Sequence, residues 1–112
     1  MNWNKLQNEA QLEALKKESA GQPVLIFKHS TRCSISSTAL SRLERNWSDS
    51  LGIKPYYLDL ISYRPVSNKI AEEFAVYHQS PQILLIQNGE CVFDASHFDI
   101  SVDALKQQLA SA

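Results

Sequence analysis

Four consecutive apolar residues, Val24-Leu25-Ile26-Phe27, run without alternation into a polar stretch, Lys28-His29-Ser30-Thr31-Arg32, and then into Cys33. A strand reads this way when both of its faces are covered, which demands a sheet with layers packed on either side. From Ile35 the apolar residues change period: Ile35, Ala39, Leu40, Leu43 and Trp47 fall near one helical face, while Arg42, Glu44 and Arg45 can meet solvent. The stretch therefore predicts a buried strand over 24–29, a short turn, and a helix from about Cys33 to Ser48. A helix leaves its first N–H groups unpaired and carries about half a positive charge at that end. A thiol placed there ionises more readily, and Lys28, His29 and Arg32 add positive charge nearby. Free cysteines are often inert core residues. The polar residues around Cys33 favour the reactive reading instead.

The 112 residues suit one domain, 1–112, with a core that needs no disulfide or metal. Apolar residues make up 44% and charged ones 21%, as in ordinary soluble proteins. The net charge is −1 and the basic residues are dispersed, so no nucleic-acid footprint is expected. No apolar stretch reaches the length of a membrane span, and the polar start, MNWNKLQNEAQLEALKK, lacks the apolar centre of a signal peptide. These features predict a cytoplasmic protein, where Cys33 and Cys91 stay free rather than bridged.

Taken in order, Asn4 is the expected cap of a first helix, with Gln7 as its reciprocal partner. Leu6, Ala10, Leu12 and Leu15 give that helix an incomplete apolar face, and Gly21 and Pro23 end it. After the 24–29 strand and the Cys33 helix, Pro55–Leu60 reads as a second strand. Pro65 opens a third helix whose buried side is Val66, Ile70, Phe74 and Tyr77. Gln82–Gln87 is a third strand, Asn88-Gly89 a hairpin turn, and Cys91–Phe93 the returning strand. Ser101 caps a last helix, with Ile100 and Leu105 placed as a hydrophobic staple and Val102, Leu105 and Leu109 inside. The order α-β-α-β-α-β-β-α implies an α/β fold: a mixed four-stranded sheet flanked by helices, its first two strands parallel neighbours.

This layout, with a cysteine opening the helix after the first strand, resembles the thioredoxin fold. Proteins of that fold carry a cis-proline before the third strand, and Pro81 matches the position. A closer resemblance rests on Lys28-His29-Ser30-Thr31, Cys33-x-Ile35-Ser36, Ser80-Pro81-Gln82, the Asn88-Gly89 hairpin and Ser96-His97-x-x-Ile100. Together these look like the monothiol bacilliredoxin family, thioredoxin-like proteins associated with the low-molecular-weight thiol bacillithiol. The resemblance spans nearly the whole chain. It departs at Ser34, where the family commonly has proline; this leaves one more backbone N–H near the sulfur.

The resemblance implies a thiol–disulfide oxidoreductase acting on mixed disulfides between client proteins and a small thiol such as bacillithiol. That thiol is a co-substrate rather than a bound cofactor, and a second thiol or a reductase recycles the enzyme. Cys33 is the expected nucleophile, and Arg32, Ser34, Ser36 and His29 are expected to support its thiolate. Thr31, Ser80 and Pro81 are the expected substrate contacts, the edge at Ser80 accepting a short β-like segment. Ser36 takes the place of the resolving cysteine of a C-x-x-C motif and cannot form a disulfide. Topology puts Cys91 one strand length, roughly 17–20 Å, from Cys33, too far for a bridge.

His29, His78 and His97 are all expected at the Cys33 pole. They read first as polar loop ends, then as support for the thiolate, and last as part of a zinc or iron site, since their spacing matches no metal motif. No metal is expected. Tyr56-Tyr57 and Trp3/Trp47 read as packing. Two other classes stay open: a non-catalytic thioredoxin-like binding module, and an arsenate- or peroxide-reducing thiol enzyme using Arg32 and Arg64 for the anion.

Overall fold

The computed structural model describes residues 1–110. Its elements, in chain order, are β1 (Asn4–Lys5), α1 (Glu9–Glu18), β2 (Val24–His29), α2 (Ser34–Asn46), β3 (Lys54–Asp59), α3 (Arg64–Glu73), β4 (Gln82–Gln87), β5 (Glu90–Ser96) and α4 (Val102–Ala110). Short 3-10 turns occupy Asp49–Leu51 and His97–Asp99. The sheet has five strands in the order β1-β3-β2-β4-β5. β2 lies at its centre, parallel to β3 and antiparallel to β4, and every one of its six residues is buried. That is the covered strand its unbroken apolar run implies.

The fifth strand corrects the expected four. Asn4 and Lys5 pair in parallel with Tyr56 and Tyr57 at the sheet edge. Asn4 therefore caps no helix; its side-chain amide donates to Pro55 O at 3.1 Å. The cap is Asn8, whose Oδ1 accepts Gln11 N–H at 2.8 Å, while Gln11 Oε1 accepts Gln7 N–H at 2.6 Å. The same Asn-x-x-Gln pattern occurs at 4/7 and at 8/11, and tertiary pairing with β3 decides between them.

Two apolar clusters lie on opposite sides of the sheet. Val24, Ile26, Leu58, Leu84 and Ile86 face Leu12 and Leu15 of α1 and Val66 and Ile70 of α3. Leu25, Phe27, Ile83 and Leu85 face Ala39 and Leu43 of α2 and Val102 and Leu105 of α4. Trp3 joins the second layer through ring contacts with Phe27, Tyr57 and Trp47, and Tyr56 is buried in the first, so these aromatics serve packing.

Two expected helix faces shift. In α2 the buried residues are Ser36, Ala39 and Leu43, whereas Ile35 is 42% exposed. Arg42, expected in solvent, is half-buried and donates through Nε and Nη2 to Ile100 O. α3 ends at Glu73: Ala75 adopts φ 53° and Val76 N–H reaches back to Ala71 O, a helix-ending turn made without glycine. Tyr77, expected on the buried side, is consequently 90% exposed. The Asn88-Gly89 turn forms with both residues at positive φ, as its hairpin type requires. Ser101 Oγ accepts Ala104 N–H, with Ile100 and Leu105 both fully buried beside it.

Candidate active site

The C-terminal ends of β2 and β3, the start of β4 and the end of β5 meet at one pole, because Lys28 pairs with Gln82 and Gln82 with Ser96. One step beyond the Lys28–Gln82 pair lie His29 and Pro81, so Ser80 and Pro81 flank the loop that leads to Cys33. The Ser80–Pro81 bond is cis, and Pro81 O accepts His97 N–H at 3.1 Å. His29, His78 and His97 all fall at this pole.

Cys33 is the N-cap residue of α2, with extended backbone angles (φ −108°, ψ 122°). Its N–H bonds Ser30 O and its carbonyl takes Ser37 N–H, each at 3.1 Å, which closes the turn and starts the helix. No capping side chain covers the first-turn N–H groups, and no acidic residue stands there to oppose the positive helix end. The thiol is free and half-buried. Thr31, Arg32 and Ser34, on either side, are exposed.

Ser36 and His29 sit beneath this turn. Ser36 is fully buried; its Oγ accepts Ser30 N–H at 3.0 Å and lies 2.7 Å from His29 Nδ1. The hydroxyl at the C-x-x-S position is thus tied to the end of β2. His29 packs between the rings of Phe27 and Tyr57. Burial pushes its pKa below the ordinary 6.5, with Asp59 and Glu44 partly offsetting the shift, so the imidazole is neutral at neutral pH. Ser80 Oγ is shielded from solvent and has no hydrogen-bond partner among the described residues.

Two polar residues of the pole escaped the sequence reading of roles. Lys28, grouped there with the cations near the thiol, is fully buried, and its Nζ donates to Ser67 O and His78 Nδ1, each at 3.3 Å. It therefore faces α3, on the side of the sheet away from α2. Gln82, also fully buried, bonds Tyr77 O and Gln79 N–H. Among the described residues, no three His, Cys, Asp or Glu side chains gather closely enough to hold a metal ion.

Cys91 is the second residue of β5 and pairs with Ile86, near the end of β4 opposite Gln82. Four residue steps, about 13 Å, separate that pair from the pole. Its thiol packs against the α1/α3 cluster, donates to Phe93 O at 3.3 Å, and is pushed up to about 11 by burial. No helix among the described residues is long and apolar enough to cross a membrane.

Among solved structures, a proposed oxidoreductase with a thioredoxin fold is 33% identical, with a TM-score of 0.82 over 94% of this chain and 91% of that one. The thioredoxin of Malassezia sympodialis superposes with a TM-score of 0.76 at 14% identity, covering 96% of this chain and 90% of its own. Mitochondrial thioredoxin 3 of Saccharomyces cerevisiae does so with the same score and identity, over 98% and 95%. The two thioredoxins speak for the fold alone. The family model for monothiol bacilliredoxin BrxC matches residues 4–105, from β1 into α4. With Cys33 heading α2 and serine in place of a second cysteine, this chain belongs to the monothiol bacilliredoxin family.

Proposed function

We propose that the protein is a monothiol thiol–disulfide oxidoreductase that removes a low-molecular-weight thiol, bacillithiol or a close relative, from client proteins. The observation carrying this reading is the contrast between its two thiols. Both thiols are half-buried, but Cys33 stands at an uncapped helix N-terminus, whereas Cys91 packs against the α1/α3 cluster with its pKa pushed up to about 11 by burial. A single available sulfur suits the monothiol route.

The Cys33 thiolate attacks the small-thiol sulfur of a client mixed disulfide. The old S–S bond breaks, the client leaves as thiolate and takes a proton, and Cys33 holds the small thiol in a new disulfide. A second small thiol, or a reductase, then attacks that disulfide and restores Cys33; with the small thiol, the product is its symmetrical disulfide. With the small thiol as recycler, each cycle reduces one client sulfur and oxidises one free small thiol, since the other half of the symmetrical disulfide arrives already in the disulfide state. The helix end presents its first-turn N–H groups, that of Ser34 among them, beside the sulfur, with Arg32 as its chain neighbour. His29 acts through Ser36, which holds the turn.

Thr31, Ser80 and Pro81 form the substrate edge in this reading, with the backbone at Ser80 open to a short β-like segment of the client. Ile35, Tyr77 and Phe98 are exposed large side chains within three residues, along the chain, of Cys33, Ser80 and His97 respectively. Exposed side chains of this kind suit a protein client better than an inorganic oxyanion or peroxide.

The test uses a synthetic peptide disulfide-bonded to bacillithiol, followed by intact-mass spectrometry. A transient Cys33–bacillithiol adduct and free peptide are expected, with Cys33→Ser inert and Cys91→Ala active. Release of peptide by Cys33→Ser, or a stalled adduct in Cys91→Ala alone, rules the scheme out.

A further inference from the structure

Alternate residues of a strand face opposite sides of the sheet. In β2, Val24 and Ile26 lie in the α1/α3 core, and Lys28 follows them there, fully buried. Its ammonium meets no carboxylate among the described residues; it has only Ser67 O and His78 Nδ1. Burial alone brings its pKa down to about 8. An unpaired buried charge is costly, and an apolar side chain of the same length would fit this environment better. Fold stability therefore gives no reason for a lysine at 28.

Position gives one. Gln82 is the residue directly opposite Lys28 across β2 and β4, so their side chains share a face. Gln82 Nε2 donates to Tyr77 O at 2.9 Å, and its Oε1 accepts Gln79 N–H at 3.3 Å. Lys28 Nζ donates to His78 Nδ1 between them at 3.3 Å, with Ser67 Oγ 3.5 Å from the same nitrogen. Tyr77, His78 and Gln79 belong to no helix or strand, and each is tied to one of these two buried side chains. Ser80 and Pro81 come next in the chain.

We propose that Lys28 and Gln82 are positioning residues that clamp residues 77–79 from beneath and so set the placement of the Ser80–Pro81 edge and the Tyr77 ring at the Cys33 pole. This rests on the reading of that edge as the substrate-binding surface. Lys28 hands His78 an N–H at Nδ1, leaving Nε2 as the protonated nitrogen of the neutral ring. Neither clamp residue touches the sulfur, so the effect belongs in substrate binding rather than in thiol chemistry.

Lys28→Met tests it, because methionine keeps the length of the side chain and removes its donors. Ser67 O keeps its place in the helix ladder and His78 is open to water, so the variant is expected to melt no lower than wild type. Amide exchange at 77–80 should speed up several-fold, and KM for the bacillithiolated peptide should rise about fivefold with kcat little changed. The rate of Cys33 alkylation should stay the same. Gln82→Met, which frees Tyr77 O and Gln79 N–H, should move exchange and KM in the same direction. Unchanged exchange in Lys28→Met would overturn the clamp; faster exchange with unchanged KM would overturn its role in binding. If wild type forms no adduct with the peptide, the functional reading fails instead, and the exchange comparison still decides whether the segment is clamped.

Discussion

Cys33 and Cys91 carry the same group in opposite surroundings. Cys91 is half-buried against apolar residues, its thiol raised to about 11. Cys33 stands at a positive helix end with Arg32 beside it. Iodoacetamide at pH 7.5 should therefore label Cys33 at least tenfold faster, read by peptide mass; equal rates would remove the case for a dedicated nucleophile. Ser36 invites a second measurement. Ser36→Ala leaves Ser30 N–H and His29 Nδ1 without partners in a buried place, a loss of about 2–4 kcal/mol in urea unfolding. A loss under 0.5 kcal/mol would mean that water replaces the hydroxyl. The position of Cys33 was legible in the sequence because strand, turn and helix are local patterns. The partners of Ser36, Lys28 and Gln82 were not: each bond joins segments that only the folded sheet brings together. Placing Lys28 beside the thiol followed from its nearness in sequence, but strand alternation sends it to the other face.

At the scale of elements, Asn8 and Asn4 separate local pattern from tertiary context. Asn8→Ala should cost about 1 kcal/mol by removing the α1 cap. Asn4→Ala should cost less, since only one exposed amide bond to Pro55 O is lost. Urea midpoints of the two variants decide it, and a reversed order would restore the cap to Asn4. β1 escaped the sequence because two polar residues offer neither alternation nor apolar content; pairing with β3 alone makes them a strand. The long strands, the hairpin and the α4 cap were legible because their signals repeat over several residues or name a specific turn. The end of α3 was hidden, since Ala75 takes the left-handed position where glycine usually announces a stop. Ile35 was misplaced for a related reason. A polar Ser36 looks wrong for a core-facing position until its two hydrogen bonds are known.

Across the whole molecule, the buried lysine links the pole to stability. The Lys28 ammonium titrates near pH 8 in the folded protein, against an ordinary 10.5. Between those values the unfolded chain binds a proton that the folded chain does not, so stability rises with pH across the window. Below pH 8 both states hold the proton, and the cost of burying it is present in full. Cys91 acts the other way: its thiol goes from 9.0 to about 11, so the folded state keeps a proton that the unfolded one loses, and stability falls with pH between 9 and 11. The wild-type profile mixes the two, whereas the difference between wild type and Lys28→Met, both in a Cys91→Ala background, isolates the lysine. At pH 7 the methionine variant should be the more stable, and its advantage should shrink steadily from pH 8 towards 10.5. Urea unfolding at pH 7, 8.5 and 10 measures that gap. A gap that stays constant, or widens with pH, would mean that Lys28 enters the folded core without losing affinity for its proton.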